Sequence, residues 1–103
     1  DIGYYFPDTD AANKNLSSIV ILEKTLNLLE HKKLQPRNVD LVIICEQPKI
    51  TPHVPVMKEA LSELLKIEEG DIAIKATTAE GMGVIGQGNG IAVYAIASLM
   101  EVR

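Results

Sequence analysis

The clearest hydrophobic pattern in the chain lies between Leu16 and Lys33. Apolar side chains recur there with the spacing of one helix face, at Ile19, Leu22, Leu26 and Leu29, and this spacing predicts an amphipathic helix. Ser17 or Ser18 suits the N-cap, because a serine oxygen accepts a free backbone N–H at a helix start. The basic run from His31 to Lys33 suits the helix C-terminus, and Pro36 prevents the helix from continuing.

Two further segments have the composition of β-strands. The run from Val39 to Cys45 is rich in β-branched residues, which is typical of a central strand covered on both faces. The run from Asp71 to Thr77 alternates between apolar and polar residues, as expected of a half-buried strand.

A proline-rich loop and a helix separate these two strands. Prolines between Gln47 and Pro55 predict a loop, and Pro55 itself suits the first turn of a helix. Apolar positions then continue the helix, at Met57, Ala60, Leu61 and Leu64. Because a strand, a helix and a strand follow one another, we expect a parallel pair with a right-handed crossover.

A glycine-rich loop from Gly81 to Gly90 precedes an apolar run from Ile91 to Met100. The run is apolar on nearly every side, so we expect a buried helix, covered by a segment outside these residues or by another subunit. Gly81-x-Gly83-x-x-Gly86 has the spacing of a dinucleotide-binding loop. That fingerprint needs a further strand and an acidic residue downstream, so we interpret the glycines as a turn with positive φ angles.

These elements predict an α/β fold, with a small mixed sheet packed against helices in one domain over residues 1–103. Hydrophobic residues make up 47% and charged residues 23% of the chain, as in ordinary globular proteins. The formal net charge of -4 provides no basic surface for nucleic acid, and no apolar run is long enough for a membrane span. The single cysteine, Cys45, excludes an internal disulfide and is compatible with a reducing compartment.

Carboxylates are concentrated at the start of the chain, in Asp1, Asp8 and Asp10 around the rigid Pro7. Aspartates in such a turn either accept local backbone N–H groups or bind the hydroxyl groups of a ligand. Because the chain opens within this motif and without an initiator methionine, we expect that an upstream segment precedes it.

Polar residues also follow each predicted strand. Thr77, Thr78 and Glu80 follow the second strand, where hydroxyls, backbone amides and a carboxylate suit a phosphate and its metal ion. An ordinary solvated strand end explains the same residues. Lys49 lies beyond the first strand, where ligands of open α/β sheets bind, and an exposed loop lysine is an equally good interpretation.

Four motifs together resemble the 2-C-methyl-D-erythritol 2,4-cyclodiphosphate synthase family. They are Asp1-Ile2-Gly3, Phe6-Pro7-Asp8-Thr9-Asp10, Pro48-Lys49-x-x-Pro52-His53 and Lys75-Ala76-Thr77-Thr78-x-Glu80. Their order and spacing agree with the central and C-terminal part of that family, and the combination is specific although no single motif is. The resemblance implies a small α/β subunit that forms a homotrimer, with active sites shared between neighbours.

The resemblance also implies an activity, in isoprenoid precursor biosynthesis in the bacterial cytoplasm or in a plastid. The implied substrate is a cytidine diphosphate linked to methylerythritol 2-phosphate. Its 2-phosphate attacks the β-phosphate and expels CMP, in a metal-assisted phosphoryl transfer without a covalent enzyme intermediate.

Each motif has a role that the resemblance implies. The methylerythritol phosphate pocket would contain Asp1, Ile2, Gly3, Phe6, Pro7, Asp8, Thr9 and Asp10. The cytosine and ribose would lie against Cys45, Glu46, Gln47, Pro48, Lys49, Ile50 and Thr51. The diphosphate would be held at Thr77, Thr78, Ala79 and Glu80. Thr78 would stabilise the transition state, and Glu80 would bind the Mg²⁺ or Mn²⁺ between the α- and β-phosphates.

The chain differs from the family pattern at two places. Val84 and Gln87 complete the implied substrate-binding set, in a glycine-rich loop where many relatives carry an aromatic residue and an arginine. The family also binds Zn²⁺ through an Asp-x-His pair and a later histidine, and these ligands are expected upstream of Asp1.

Two hypotheses follow from the missing zinc ligands. The chain is the greater part of a zinc-dependent synthase whose upstream segment carries them, or it is an inactive remnant that binds cytidine diphosphates or merely trimerises. An unrelated α/β interaction domain, the third interpretation, would have no affinity for cytidine nucleotides.

Overall fold

A computed structural model describes residues 1–102 of the chain, and Arg103, the last residue of the predicted domain, lies outside them. The chain folds into two units. The first contains Asp1–Gln35 and Val102, and the second contains Pro36–Glu101.

The first unit is built from helices. A short helix, α1 (Ile2–Tyr5), and a 3-10 turn (Ala11–Asn13) precede the long helix α2 (Ser18–His31). The predicted amphipathic helix is therefore confirmed. Its N-cap is Ser17, whose side-chain oxygen accepts the N–H of Ile19.

The second unit contains most of a three-stranded sheet with the order β2-β1-β3. The central strand is β1 (Leu34–Ile44), which confirms the predicted position but begins five residues before the predicted Val39. The strand β2 (Ile72–Thr77) pairs with β1 in parallel, from Val39↔Ile72 to Ile44↔Thr77. The predicted parallel pair is confirmed.

Helix α3 (Val54–Leu65) connects β1 to β2 and packs against β2. It carries Pro55 in its first turn, as predicted. Between α3 and the two parallel strands lies the apolar core, in which the buried side chains are Ile43, Cys45, Leu65 and Ile72. No helix in residues 1–102 is both long enough and apolar enough to cross a bilayer.

The predicted C-terminal helix is wrong. Residues Ala92–Glu101 form the strand β3, which borders β1 on the side away from β2. The Ser98 hydroxyl donates a hydrogen bond to Oδ1 of Asn38. The Val102 N–H donates to the Lys33 carbonyl at 2.9 Å. The two contacts run in opposite directions along the two strands, so β3 is antiparallel to β1 and the predicted mixed sheet is confirmed.

The physical reason for the helix error lies in the composition of β3. An apolar run without a clear period does not distinguish a helix from a strand. Val93, Tyr94 and Ile96 are β-branched or aromatic, and such residues favour strands. In the single chain these three side chains are exposed. The expectation that an outside segment or another subunit covers them therefore stays a prediction.

Candidate functional site

The carboxyl ends of β1 and β2 lie side by side. Ile44 is in register with Thr77, and the next residue, Cys45, donates its N–H to the Thr77 carbonyl at 3.0 Å. Parallel strands end at the same edge of a sheet, where ligands of open α/β sheets bind. The fold therefore brings the predicted nucleotide segment, from Cys45 to Thr51, next to the predicted diphosphate segment, from Thr77 to Glu80.

A carboxylate connects these two segments beyond the last backbone hydrogen bond between the strands. Oε1 of Glu46 accepts the N–H of Ala79 at 2.6 Å, across a sequence separation of 33 residues. The Glu46 side chain is half-buried. Sequence reasoning missed this contact, because nothing in the local pattern indicates which loop a glutamate will reach.

The diphosphate segment is a tight turn with exposed polar groups. The Glu80 N–H donates to Oγ1 of Thr78 at 3.3 Å, and the Met82 N–H donates to the Ala79 carbonyl at 3.0 Å. Glu80 has a φ of 56°, in the left-handed region. Thr77, Thr78 and Glu80 are exposed, so their hydroxyl and carboxylate oxygens are accessible to a ligand.

The nucleotide segment combines a buried start with an exposed middle. Cys45 is buried, and its thiol donates to the Gln47 carbonyl at 3.1 Å. Gln47, Pro48 and Lys49 are exposed, and the Gln47–Pro48 peptide bond is cis. The Ile50 carbonyl accepts the His53 N–H at 2.8 Å, at the 3-10 turn (Thr51–His53) that leads into α3. The exposed backbone and the Lys49 side chain are thus available to a nucleotide.

The glycine-rich loop contains a short helix, α4 (Gly83–Gly86), that the sequence did not predict. Gly81, Gly83 and Gly88 have φ angles between 69° and 80°, so the predicted positive φ is confirmed for Gly81 and Gly83, whereas Gly86 is the last residue of α4. Val84 is 65% exposed. The Gln87 N–H donates to the Gly83 carbonyl at 3.0 Å, which closes the short helix.

The acidic cluster lies in the first unit, where two of its aspartates cap helices. Oδ1 of Asp1 accepts the Gly3 N–H at 2.9 Å, and Oδ1 of Asp10 accepts the Ala12 N–H at 3.0 Å. The local-amide interpretation of the acidic turn therefore holds for Asp10, and Asp1 makes a contact of the same kind; their proposed contacts with a ligand stay a prediction. Asp8 is exposed.

Phe6 has a cationic neighbour that sequence reasoning missed. Nζ of Lys24, on α2, lies 5.4 Å from the centre of the Phe6 ring, within the range of a cation–π contact. The only signal in the sequence is the position of Lys24 on α2, and that signal does not identify an aromatic partner.

The described residues restrict the metal ions that the chain can hold. Residues 1–102 contain no group of three or more His, Cys, Asp or Glu side chains placed to share an ion. Glu80 would therefore be a single carboxylate ligand. Such a donor suits Mg²⁺, which completes its octahedron with phosphate and water oxygens, but it does not suit Zn²⁺, which takes three or four protein ligands.

Comparison with known proteins gives concordant matches. Residues 1–100 match the sequence model of the YgbB family. The chain is 44% identical over 103 residues to the 2-C-methyl-D-erythritol 2,4-cyclodiphosphate synthase of Brachyspira hyodysenteriae, covering 100% of this chain and 65% of the relative. It is 44% identical over 95 residues to the synthase of the same name from Parabacteroides distasonis, covering 92% of this chain and 59% of the relative. The chain thus spans less than two thirds of the length of these relatives.

A solved structure gives the same match in three dimensions. IspF of Plasmodium falciparum, in a complex with CDP, resembles the chain with a TM-score of 0.85 and 30% sequence identity. The match covers 100% of this chain and 61% of that chain.

Proposed function

The chain belongs to the YgbB family, and from this premise we propose that it is part of a 2-C-methyl-D-erythritol 2,4-cyclodiphosphate synthase, a phosphorus-oxygen lyase of isoprenoid precursor biosynthesis. Family membership agrees with the resemblance found from the four motifs. The observation that carries the proposal is the junction of the segments after β1 and β2, through Cys45–Thr77 and Glu46–Ala79. A diphosphate joined to a cytidine needs both segments at one place.

In the proposed reaction, an oxygen of the substrate's 2-phosphate forms a new bond to the β-phosphorus. The bond between the β-phosphorus and the oxygen that bridges to the α-phosphate breaks, and that oxygen leaves with CMP. Both reacting groups belong to one substrate, so the chain must mainly bind and orient them. No covalent intermediate with a side chain is required.

The segment from Cys45 to Thr51 binds the cytosine and ribose in this proposal. Backbone N–H and C=O groups would match the donors and acceptors on a pyrimidine edge, and Gln47, Pro48 and Lys49 are exposed residues of this segment. The Lys49 ammonium adds a positive charge beside an anionic ligand. The buried Cys45 anchors the start of the segment to β2 through its N–H.

The turn from Thr77 to Glu80 binds the diphosphate. The hydroxyls of Thr77 and Thr78 are exposed donors at the carboxyl end of β2, and Thr78 donates to the oxygen on which charge develops. Glu80 would hold Mg²⁺ or Mn²⁺, which neutralises phosphate charge when bound. Such an ion is consistent with an anionic substrate on a chain of net charge -4.

The first unit is assigned the methylerythritol phosphate. Gly3 and Phe6 would contact the carbon skeleton, and Asp8 would accept hydrogen bonds from its hydroxyls. Asp1 and Asp10 already cap helices, so their contribution is to shape the pocket as well as to contact the ligand. Zn²⁺ stays a prediction, with its ligands expected upstream of Asp1, since residues 1–102 hold no group of side chains that fits it.

We further propose that the whole protein is a homotrimer with sites shared between neighbouring subunits, in the bacterial cytoplasm or in a plastid. The exposed apolar side chains of β3 support an assembly, since extensive exposed apolar surface marks protein–protein interaction sites. The net negative charge supports a small-molecule partner rather than nucleic acid.

The test is CMP release from 4-diphosphocytidyl-2-C-methyl-D-erythritol 2-phosphate, with the complete protein and Mg²⁺. We expect one cyclodiphosphate for each CMP, detected by ³¹P NMR. Thr78→Val should lower kcat by about 100-fold, the usual effect of removing one donor to a developing negative charge. Thr25→Val is the matched control, because the Thr25 hydroxyl is exposed on α2 and donates to the Ile21 carbonyl.

The outcome of this assay separates the two hypotheses. CMP and cyclodiphosphate in equal amounts support the synthase. A protein that binds CDP in a separate binding measurement but releases no CMP contradicts the synthase hypothesis and supports the inactive remnant.

A further inference from the structure

Glu46 makes the contact that links the segments after β1 and β2. Oε1 of Glu46 accepts the Ala79 N–H at an N···O distance of 2.6 Å, and a hydrogen bond from a backbone N–H to a carboxylate is stronger than one to a neutral acceptor. The side chain is half-buried, so water competes less for this oxygen than it would at an exposed site. The contact therefore restrains the backbone at Ala79.

Ala79 is restrained through both of its backbone groups. Its N–H donates to Glu46, and its carbonyl accepts the Met82 N–H at 3.0 Å. The next residue, Glu80, has a left-handed backbone with a φ of 56°. A residue with a side chain rarely adopts this conformation unless surrounding contacts maintain it. Glu46 supplies one of those contacts.

The restrained residue lies between the two side chains to which the proposed function assigns the diphosphate and its metal ion. Thr78 precedes Ala79 and Glu80 follows it, and the Glu80 N–H donates to Oγ1 of Thr78 at 3.3 Å. A rotation of the Ala79 peptide would turn both side chains together. The direction of the Thr78 hydroxyl and the Glu80 carboxylate thus depends on the contact with Glu46.

We propose that Glu46 is a positioning residue, whose carboxylate holds the Thr78–Glu80 turn in the conformation that binds the diphosphate. This inference rests on the proposed function. The backbone of Glu46 remains part of the nucleotide segment, while its side chain acts through Ala79 and does not touch the reacting phosphates.

The same contact links nucleoside binding to diphosphate binding. Glu46 follows Cys45 in the segment assigned to cytosine and ribose, and Ala79 belongs to the turn assigned to the diphosphate. A ligand that orders the first segment therefore also stabilises the second. CDP should consequently slow hydrogen exchange at the Ala79 amide in the native protein.

Three substitutions of Glu46 in the complete protein distinguish the effect of the acceptor oxygen's position from the effect of the negative charge. Glu46→Gln keeps an acceptor oxygen at the same distance and removes the charge. Glu46→Asp keeps the charge and withdraws the acceptor by one methylene, and Glu46→Ala removes both. Glu59→Ala, at an exposed glutamate on α3, is the control.

Two measurements test the proposal, and one of them needs no substrate. Amide hydrogen exchange at Ala79 should be roughly tenfold faster in E46A and E46D, because an intramolecular hydrogen bond is lost, and within a few-fold of wild type in E46Q. In the CMP-release assay, kcat should fall about 10- to 100-fold in E46A and E46D, as for other residues that orient a metal or phosphate ligand. KM for the substrate should change by less than kcat, and E46Q should retain most of the activity.

Several results would overturn the proposal. One is unchanged exchange at Ala79 in E46A and E46D. Another is full activity in a variant in which that exchange is accelerated. A third is an active E46D variant together with an inactive E46Q variant. That result would show that activity depends on the negative charge of residue 46 and not on the position of its acceptor oxygen. If E46A does not fold, the comparison of E46D with E46Q still tests whether the acceptor oxygen at residue 46 positions the turn. A wild-type protein that releases no CMP refutes the proposed function, whereas the exchange measurement still reports on the turn.

Discussion

Gly86 shows how closely the glycine-rich loop folds on itself. A Cβ atom at Gly86 would lie 2.2 Å from the carbonyl carbon of Gly81 and 2.8 Å from its oxygen. Both atoms belong to the backbone, so no side-chain rotation relieves the overlap. The loop that contains Val84 and Gln87 can therefore close only with glycine at this position.

Gly86→Ala should lower the free energy of unfolding by about 1–3 kcal/mol, the usual cost of forcing extra volume into a tight contact. Chemical denaturation measures this difference in the free energy of unfolding. Gly70→Ala is the matched control, because nothing lies within 4 Å of a Cβ at Gly70. Its effect should be within about 1 kcal/mol of wild type. Equal stability of the two variants would contradict the close approach seen at Gly86.

Single residues were predictable from the sequence where their partners are local. Ser17 is recognisable as an N-cap from its position before an apolar period, and it caps α2. Glu46 and Lys24 were not predictable in the same way. Their partners, Ala79 and Phe6, are 33 and 18 residues distant and are brought near only by the fold. The predicted segments after β1 and β2 lie side by side because parallel strands end at one edge of the sheet.

At the scale of elements, the sequence predicts those with a clear period and fails where the pattern is uniform. The 3.6-residue period of α2 and the crossover through α3 are both seen in the structure. The apolar run from Ile91 to Met100 lacks such a period, and it pairs with β1 as strand β3. The strand preference of its β-branched and aromatic residues agrees with the hydrogen bonds that the edge of β1 offers, which only a strand can use.

The exposed side chains of β3 lead to a prediction about assembly. Ile96 is 73% exposed in the single chain, and in the proposed homotrimer it is covered by neighbouring subunits. Ile96→Lys should convert the complete protein from trimer to monomer, because a buried unpaired ammonium costs several kcal/mol. Size-exclusion chromatography with light scattering gives the mass.

A lysine on another exposed apolar site is the control for this prediction. Val56 lies on α3 and is 68% exposed, so Val56→Lys should remain a trimer. A trimeric Ile96→Lys variant would refute the assigned interface. A monomeric wild-type protein would refute the trimer itself.

At the scale of the whole molecule, an acidic chain is proposed to bind an anionic substrate. The proposed binding site consists of two segments that are far apart in sequence. They are the nucleotide segment after β1 and the Thr77–Glu80 turn after β2. Each is ordinary in isolation, and a solvated strand end or an exposed loop lysine would explain it. Their junction at one edge of the sheet makes a common ligand the simpler interpretation.

The most direct test of the central claim is to map CDP on the complete, ¹⁵N-labelled protein in the presence of Mg²⁺, with GDP as the control ligand. CDP should shift the backbone amides of residues 45–51, apart from Pro48, and those of residues 77–80 together, at the same ligand concentration. GDP should perturb the turn at 77–80 more weakly and leave 45–51 nearly unchanged. If saturating CDP shifts neither segment, or shifts only amides elsewhere, the two segments do not form a cytidine diphosphate site and the account is wrong.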